Sequence, residues 1–231
     1  CQIDQIMKIA HKYELKVVED SCESMFVKYK GQPVGSHGDI ACYSSYLAHI
    51  ISTGVGGFIT TNDKEDAQNM RSLIWHGRDP EYMSIDDNQK DIETLIRTRF
   101  KFNRKGYSFR LTEMEAALGL VELENWEANI KKRQENAKIL TDLFKSKGLI
   151  EFLKLPQPRE DAEHAWMFYA LIVKKPQDRD KLMIHLEKNG IQTRTIMPLI
   201  NQPIFSGWIT ESNYPNAQMI NKQGILIGCH Q

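Results

Sequence analysis

Tyr43–Gly57 reads YSSYLAHIISTGVGG. It opens on two hydroxyls, Ser44 and Ser45, carries a lone His49, and closes on Gly54, Gly56 and Gly57. On either side stand two short runs with strand character, Asp39-Ile-Ala-Cys-Tyr43 and Gly57-Phe-Ile-Thr-Thr61. Upstream, Leu15-Lys-Val-Val18 reads as a buried strand that ends in Glu19-Asp20-Ser21, preceded by a helix whose Ile3, Ile6, Met7 and Ala10 share one face. Helix, strand, then a polar cluster is the pattern of an open α/β sheet, where ligands sit beyond the carboxyl ends of the strands. A strand-terminal acid, a serine and a histidine in a glycine-bounded loop suggest a cofactor cradle. No lysine occurs between Lys30 and Lys64.

Further along, Asn62-Asp63 caps a predicted helix over residues 64–73. Residues 76–104 are polar, charged and weakly periodic, with Asp-Asp-Asn at 86–88, and read as a long excursion or lid. Helix returns at Thr112 with Met114, Ala117, Leu118, Val121 and Leu123 near one face. It continues, whole or as a kinked pair, to about Lys147, where Gly148 supplies the C-cap. Beyond Leu155-Pro-Gln-Pro158 come a strand over 166–173, a helix over 178–189, a strand over 191–196 and a strand-like Ile225-Leu-Ile-Gly. That succession predicts a second, smaller α/β domain, with residues 1–128 in the first domain and 129–231 in the second.

The 231 residues suffice for a sizeable core, and 41% apolar with 26% charged content is ordinary for a globular protein. Thirty basic and thirty acidic residues cancel, so no global field favours nucleic acid or an anionic membrane. No apolar run approaches the ~18 residues of a membrane span. The four cysteines, at 1, 22, 42 and 229, form no CxxC pair and no metal-ligand spacing. Cysteines in apolar segments point to reduced thiols and a cytoplasmic setting.

VVEDSCES, GQPVGSHGDIACYSSY, GVGGFITTND and GYSFRLTEMEAALGLVELE follow one another in the order seen in the DegT/DnrJ/StrS family of nucleotide-sugar aminotransferases, which this chain resembles over nearly its whole length. The resemblance implies the pyridoxal phosphate (PLP)-dependent transferase fold of type I, like aspartate aminotransferase. The chain would hold a truncated large domain lacking its N-terminal part, followed by a small domain lacking a short C-terminal piece. It also implies roles. Asp20 would face the pyridine nitrogen, Ser44 would hydrogen-bond the cofactor phosphate, and Glu23 would lie near the ring's phenolic oxygen. Ser108, in Gly106-Tyr107-Ser108 where the family has GYN, would reach the partner subunit's cofactor phosphate.

His49 stands where the family's aminotransferases carry the lysine that anchors PLP covalently. Imidazole cannot make that bond, but it can move protons near neutrality. The resemblance is therefore to the family's 3-dehydratase branch, which acts on a nucleotide-linked 4-keto-6-deoxy sugar with PLP or pyridoxamine phosphate (PMP). A sugar aminotransferase and a non-catalytic relative are the other readings. The expected partners are a nucleotide sugar, an amino donor such as glutamate, and a second copy in a homodimer. Some relatives hold an iron–sulfur cluster through downstream cysteines. The absence of cysteine between Cys42 and Cys229 argues against such a cluster, and no metal is expected.

Overall fold

The computed structural model describes residues 1–79, 92–196 and 199–230. In chain order the elements are α1 (Ile3–Lys12), β1 (Val18–Asp20), the two-residue strands β2 (Lys28–Tyr29) and β3 (Gln32–Pro33), β4 (Ile40–Ser44), β5 (Gly57–Thr61), α2 (Lys64–Ile74), α3 (Ile92–Thr98) and α4 (Glu113–Glu124). They continue with α5 (Trp126–Ser146), β6 (Leu153–Lys154), β7 (Phe168–Val173), α6 (Pro176–Lys188), β8 (Thr193–Thr195), α7 (Pro215–Gln223) and β9 (Gly224–Gly228). The chain divides into two compact units: Cys1–Met25 with Gln32–Glu124, and Phe26–Gly31 with Asn125–Gln231.

In the first unit β1 pairs parallel with β4, and β4 antiparallel with β5. Residues paired across neighbouring strands share a face, and side chains two apart on a strand share it too. Asp20 pairs with Cys42, so Asp20, Cys42 and Ser44 lie on one face. Glu19 pairs with Ala41, so Glu19, Ala41 and Tyr43 lie on the other. That second face is tied down strongly. The buried Glu19 carboxylate accepts the backbone N–H groups of Gly35 (3.0 Å), His37 (2.7 Å) and Gly38 (2.6 Å). Tyr43 donates its hydroxyl to the Val34 carbonyl at 2.9 Å.

The first strand differs from its sequence reading. Leu15 and Val18 are exposed, β1 begins only at Val18, and the side chain taken inside is Glu19. An acid replaces the valines in the interior because three amides from residues 35–38 satisfy it, which makes burial of a carboxylate tolerable. In α2, by contrast, the sequence signal is realised directly: Asp63 caps the helix by accepting the Asp66 N–H at 2.8 Å.

The region read as an excursion contains the short helix α3; Asp86, Asp87 and Asn88 lie outside the described residues. The helix read from Thr112 is a pair broken at Asn125. Met114, Leu118, Val121 and Leu123 are exposed, and α4 buries only Gly119.

In the second unit the sheet order is β6-β7-β9-β8, antiparallel throughout. Strands β7 and β8, joined through α6, are thus parallel to each other with β9 inserted between them. Tyr169, Leu171 and Val173 alternate inward from β7 and join Ile225, Ile227, Leu153 and Ala137 in one core, with Phe144 and Leu186 packed against it. Gly148 follows α5 at φ 70°, the left-handed value that ends the helix.

Candidate active site

Four features converge beyond the carboxyl ends of β1 and β4. Ser21 continues the β1 ladder by donating its N–H to the Cys42 carbonyl at 2.9 Å, which fixes where Asp20 ends. The exposed Asp20 accepts the Cys22 N–H on Oδ1 at 3.2 Å. The same residue serves the histidine, for His49 Nδ1 lies 2.8 Å from the Cys22 carbonyl. A carbonyl oxygen only accepts, so Nδ1 carries the proton and Nε2 keeps its lone pair. The backbone of Cys22 therefore orients the acid with its N–H and sets the imidazole tautomer with its C=O.

The electrostatics follow from these contacts. Hydrogen bonds from the Cys22 thiol and then from its N–H hold the Asp20 carboxyl below its ordinary value, and the His49 ring adds to the effect whenever it is protonated. Conversely, burial first and the Asp20 carboxylate second push the Cys22 thiol up to about 11. Asp20 is a fixed anion at any physiological pH, and Cys22 a neutral thiol.

Ser44 ends β4 on the Asp20 face. Its Oγ accepts the Tyr46 N–H at 3.2 Å, and among the described residues nothing takes its hydroxyl proton. The donor is available for an anion. The loop that follows closes on itself through Ser45 N–H to Gly56 O (3.0 Å), Leu47 N–H to Gly54 O (3.1 Å) and His49 N–H to Tyr46 O (2.8 Å). Ile50 and Ile51 anchor it inside, at 2% and 1% exposure.

The remaining sequence candidates stand differently. Glu23 is exposed just after Cys22 and makes no hydrogen bond recorded among the described residues. Ser108 pairs with Trp75 in an isolated antiparallel bridge and accepts from Arg110 Nη2 at 3.1 Å. No described contact joins it to the Asp20–Cys22–His49 group.

Two features carry more than the sequence reading gave them. Cys22 is one. The other is the segment 97–110, RTRFKFNRKGYSFR, where basic and aromatic residues interleave with no acid among them. Phe100, Tyr107 and Phe109 are exposed, the last two with rings stacked at 5.0 Å, and the Arg110 guanidinium lies 5.1 Å from the Trp75 ring centroid. That interleaving was the available signal. Among the described residues no cluster of three or more His, Cys, Asp or Glu is arranged to hold a metal ion, and no helix is long and apolar enough to cross a membrane.

The donor set fits PLP: a permanent carboxylate for a protonated ring nitrogen, a spare hydroxyl for a phosphate oxygen, and an imidazole with a defined basic nitrogen. Comparison with known proteins agrees with the geometry. A family model described as the DegT/DnrJ/EryC1/StrS aminotransferase family matches residues 1–231. The GDP-4-keto-6-deoxy-D-mannose 3-dehydratase of Yersinia pseudotuberculosis is 32% identical over 99% of this chain and 59% of its own. A GDP-perosamine synthase of Escherichia coli O157:H7 is 27% identical over 97% of this chain and 56% of its own. Among solved structures, the E. coli GDP-4-keto-6-deoxy-D-mannose 3-dehydratase with bound hydrated PLP superposes with a TM-score of 0.84 at 28% identity, covering 100% of this chain and 60% of that one. The fold is that of the type I PLP-dependent aminotransferases, and the chain spans somewhat under two thirds of the length of these relatives.

Proposed function

We propose, from the premise that the chain belongs to the DegT/DnrJ/EryC1/StrS aminotransferase family, that it carries the reacting centre of a PLP/PMP-dependent 3-dehydratase acting on a nucleotide-linked 4-keto-6-deoxy sugar. The observation that carries this reading is His49. It stands in a loop without lysine, and its Nδ1 is spent on a backbone carbonyl, so that Nε2 is left as a base. A lysine there would anchor PLP covalently, which imidazole cannot do; elimination of a hydroxyl needs only a proton carrier. Two GDP-4-keto-6-deoxy-D-mannose 3-dehydratases among the similar proteins, at 32% and 29% identity, support the same choice.

The bound cofactor supplies an electron-withdrawing ring that makes a neighbouring C–H acidic. The residues of this chain do the rest. Asp20, kept anionic by Cys22, holds the proton on the ring nitrogen, and Ser44 donates to the phosphate. Glu23 would lie near the ring's phenolic oxygen. His49 Nε2 takes up a proton and returns it to the C3 hydroxyl of the sugar, which departs as water. An amino donor such as glutamate would supply the nitrogen that the cofactor carries. Ser108 and Arg110 complete the site of the second copy in a homodimer. The exposed basic–aromatic segment 97–110 suits the nucleotide end of the substrate, offering rings for a base and cations for a pyrophosphate.

The test is spectroscopic as well as kinetic. The full chain should bind PLP reversibly, with no covalent adduct on borohydride reduction, and PMP-loaded protein should consume a 4-keto-6-deoxy nucleotide sugar in a single turnover. A lysine–PLP adduct anywhere in the chain after borohydride reduction, or no turnover on a broad panel of such sugars, overturns the reading.

A further inference from the structure

His49 sits four residues after Ser45 and four before Thr53, at the middle of a loop whose two feet are those residues. The feet are locked together. Thr53 donates its N–H to the Ser45 carbonyl at 2.8 Å, and the two side-chain oxygens lie 2.7 Å apart. Thr53 Oγ1 is also 3.1 Å from the Val55 carbonyl. Both side chains are fully enclosed, Ser45 at 0% and Thr53 at 2% exposure. Enclosed hydroxyls have few alternative partners, and a broken member takes a hydrogen bond from the other.

Two glycines are shaped around this pair. A Cβ on Gly56 would stand 2.8 Å from Ser45 Oγ and 2.9 Å from Thr53 Oγ1. A Cβ on Gly119, the buried position of α4, would stand 3.0 Å from Thr53 Cγ2. So α4 contributes to the loop not through its large apolar residues, which are exposed, but by leaving room for one threonine.

We infer that the Ser45–Thr53 hydroxyl pair is the positioning element of His49: by closing the loop at its feet it holds the imidazole against the Cys22 carbonyl and thereby selects Nε2 as the basic nitrogen. Enclosed as they are, neither hydroxyl is offered to cofactor or substrate. The importance of the pair for turnover rests on the reading of His49 as the proton carrier, whereas its effect on the imidazole does not.

The experiment uses the full chain labelled with ¹⁵N-histidine, with the His49 resonances assigned by their loss in His49→Asn. Wild type should show a single His49 tautomer protonated at Nδ1. Thr53→Val, which keeps the shape and deletes the hydroxyl, should give two exchanging tautomers and a kcat lower by on the order of tenfold with KM little changed. Thr53→Ser should restore both. Ser45→Ala removes the other half of the pair and should reproduce the valine variant, and it replaces that variant should Thr53→Val not fold. A wild-type His49 tautomer in folded Thr53→Val or Ser45→Ala, even with a lowered melting temperature, overturns the inference. Should wild type show no turnover, the proposed dehydration fails, and the tautomer measurement still decides the role of the pair.

Discussion

Cys22 has the smallest side chain in the Asp20–Cys22–His49 group and the most contacts in it. The acid and the base are 29 positions apart in the chain, yet each meets the backbone of this one residue, within 3.2 Å and 2.8 Å. The sequence reading gave Cys22 only a reduced thiol, because a cysteine in an apolar phrase offers no sign that its peptide group is spent on two neighbours. Asp20, Ser44 and His49 were legible because residue type and family phrase both pointed to them. Glu23 was legible only through the resemblance.

The Asp20–Cys22 coupling can be read by alkylation. With its thiol pushed up to about 11, only roughly one Cys22 in a thousand is thiolate at pH 8, and iodoacetamide should label it slowly. Asp20→Asn removes a negative neighbour, lowers that value and should speed labelling at Cys22; mass spectrometry of the tryptic peptide gives the rates. Unchanged labelling means the acid does not act on the thiol. The carboxyl has its own pH signature. A depressed folded-state value gives stability that is present above the unfolded carboxylate range near pH ~4 and is lost as pH falls through the lower folded value. Wild type and Asp20→Asn melting curves should therefore converge in acid and separate toward neutrality.

Strand β1 holds this arrangement in place through its other face. Glu19 and Asp20 are adjacent, so they point to opposite sides of the sheet, one binding the 35–38 turn and the other facing the site. Glu19→Ala leaves three part-buried amides without their acceptor and should cost on the order of 2 kcal/mol. Hydrogen exchange should show loss of protection at Gly35, His37 and Gly38, with the β7–β9 ladder unaffected; retained protection at those amides would refute the role. Gly35 cannot take a side chain there, with φ at 89° and a Cβ 1.8 Å from the Tyr43 hydroxyl.

Most elements could be located from local pattern: α1, α2 with its Asp63 cap, β4, β5, β7, α6 and the Gly148 stop. The burial of Glu19 could not, because its partners arrive from residues 35–38. The exposure of Met114, Leu118, Val121 and Leu123 on α4 could not either, since a periodic apolar face says that something covers it, not what.

The chain divides into two compact units, and the residues of the proposed chemistry lie within the first. The exposed α4 face and the Ser108–Arg110 turn are the surfaces expected to meet a second copy. Sedimentation of the full chain at micromolar concentration should give a dimer, and turnover by a stable monomer would remove Ser108 and Arg110 from any shared site.

The most direct measurement is single-turnover consumption of a 4-keto-6-deoxy nucleotide sugar by PMP-loaded full chain, comparing wild type with His49→Asn. Asparagine retains a group able to donate to the Cys22 carbonyl but offers no basic nitrogen. If Nε2 moves the proton, the variant should bind PMP and lose on the order of 10²–10⁴-fold in rate. Equal rates in the two proteins would contradict the assignment of the base.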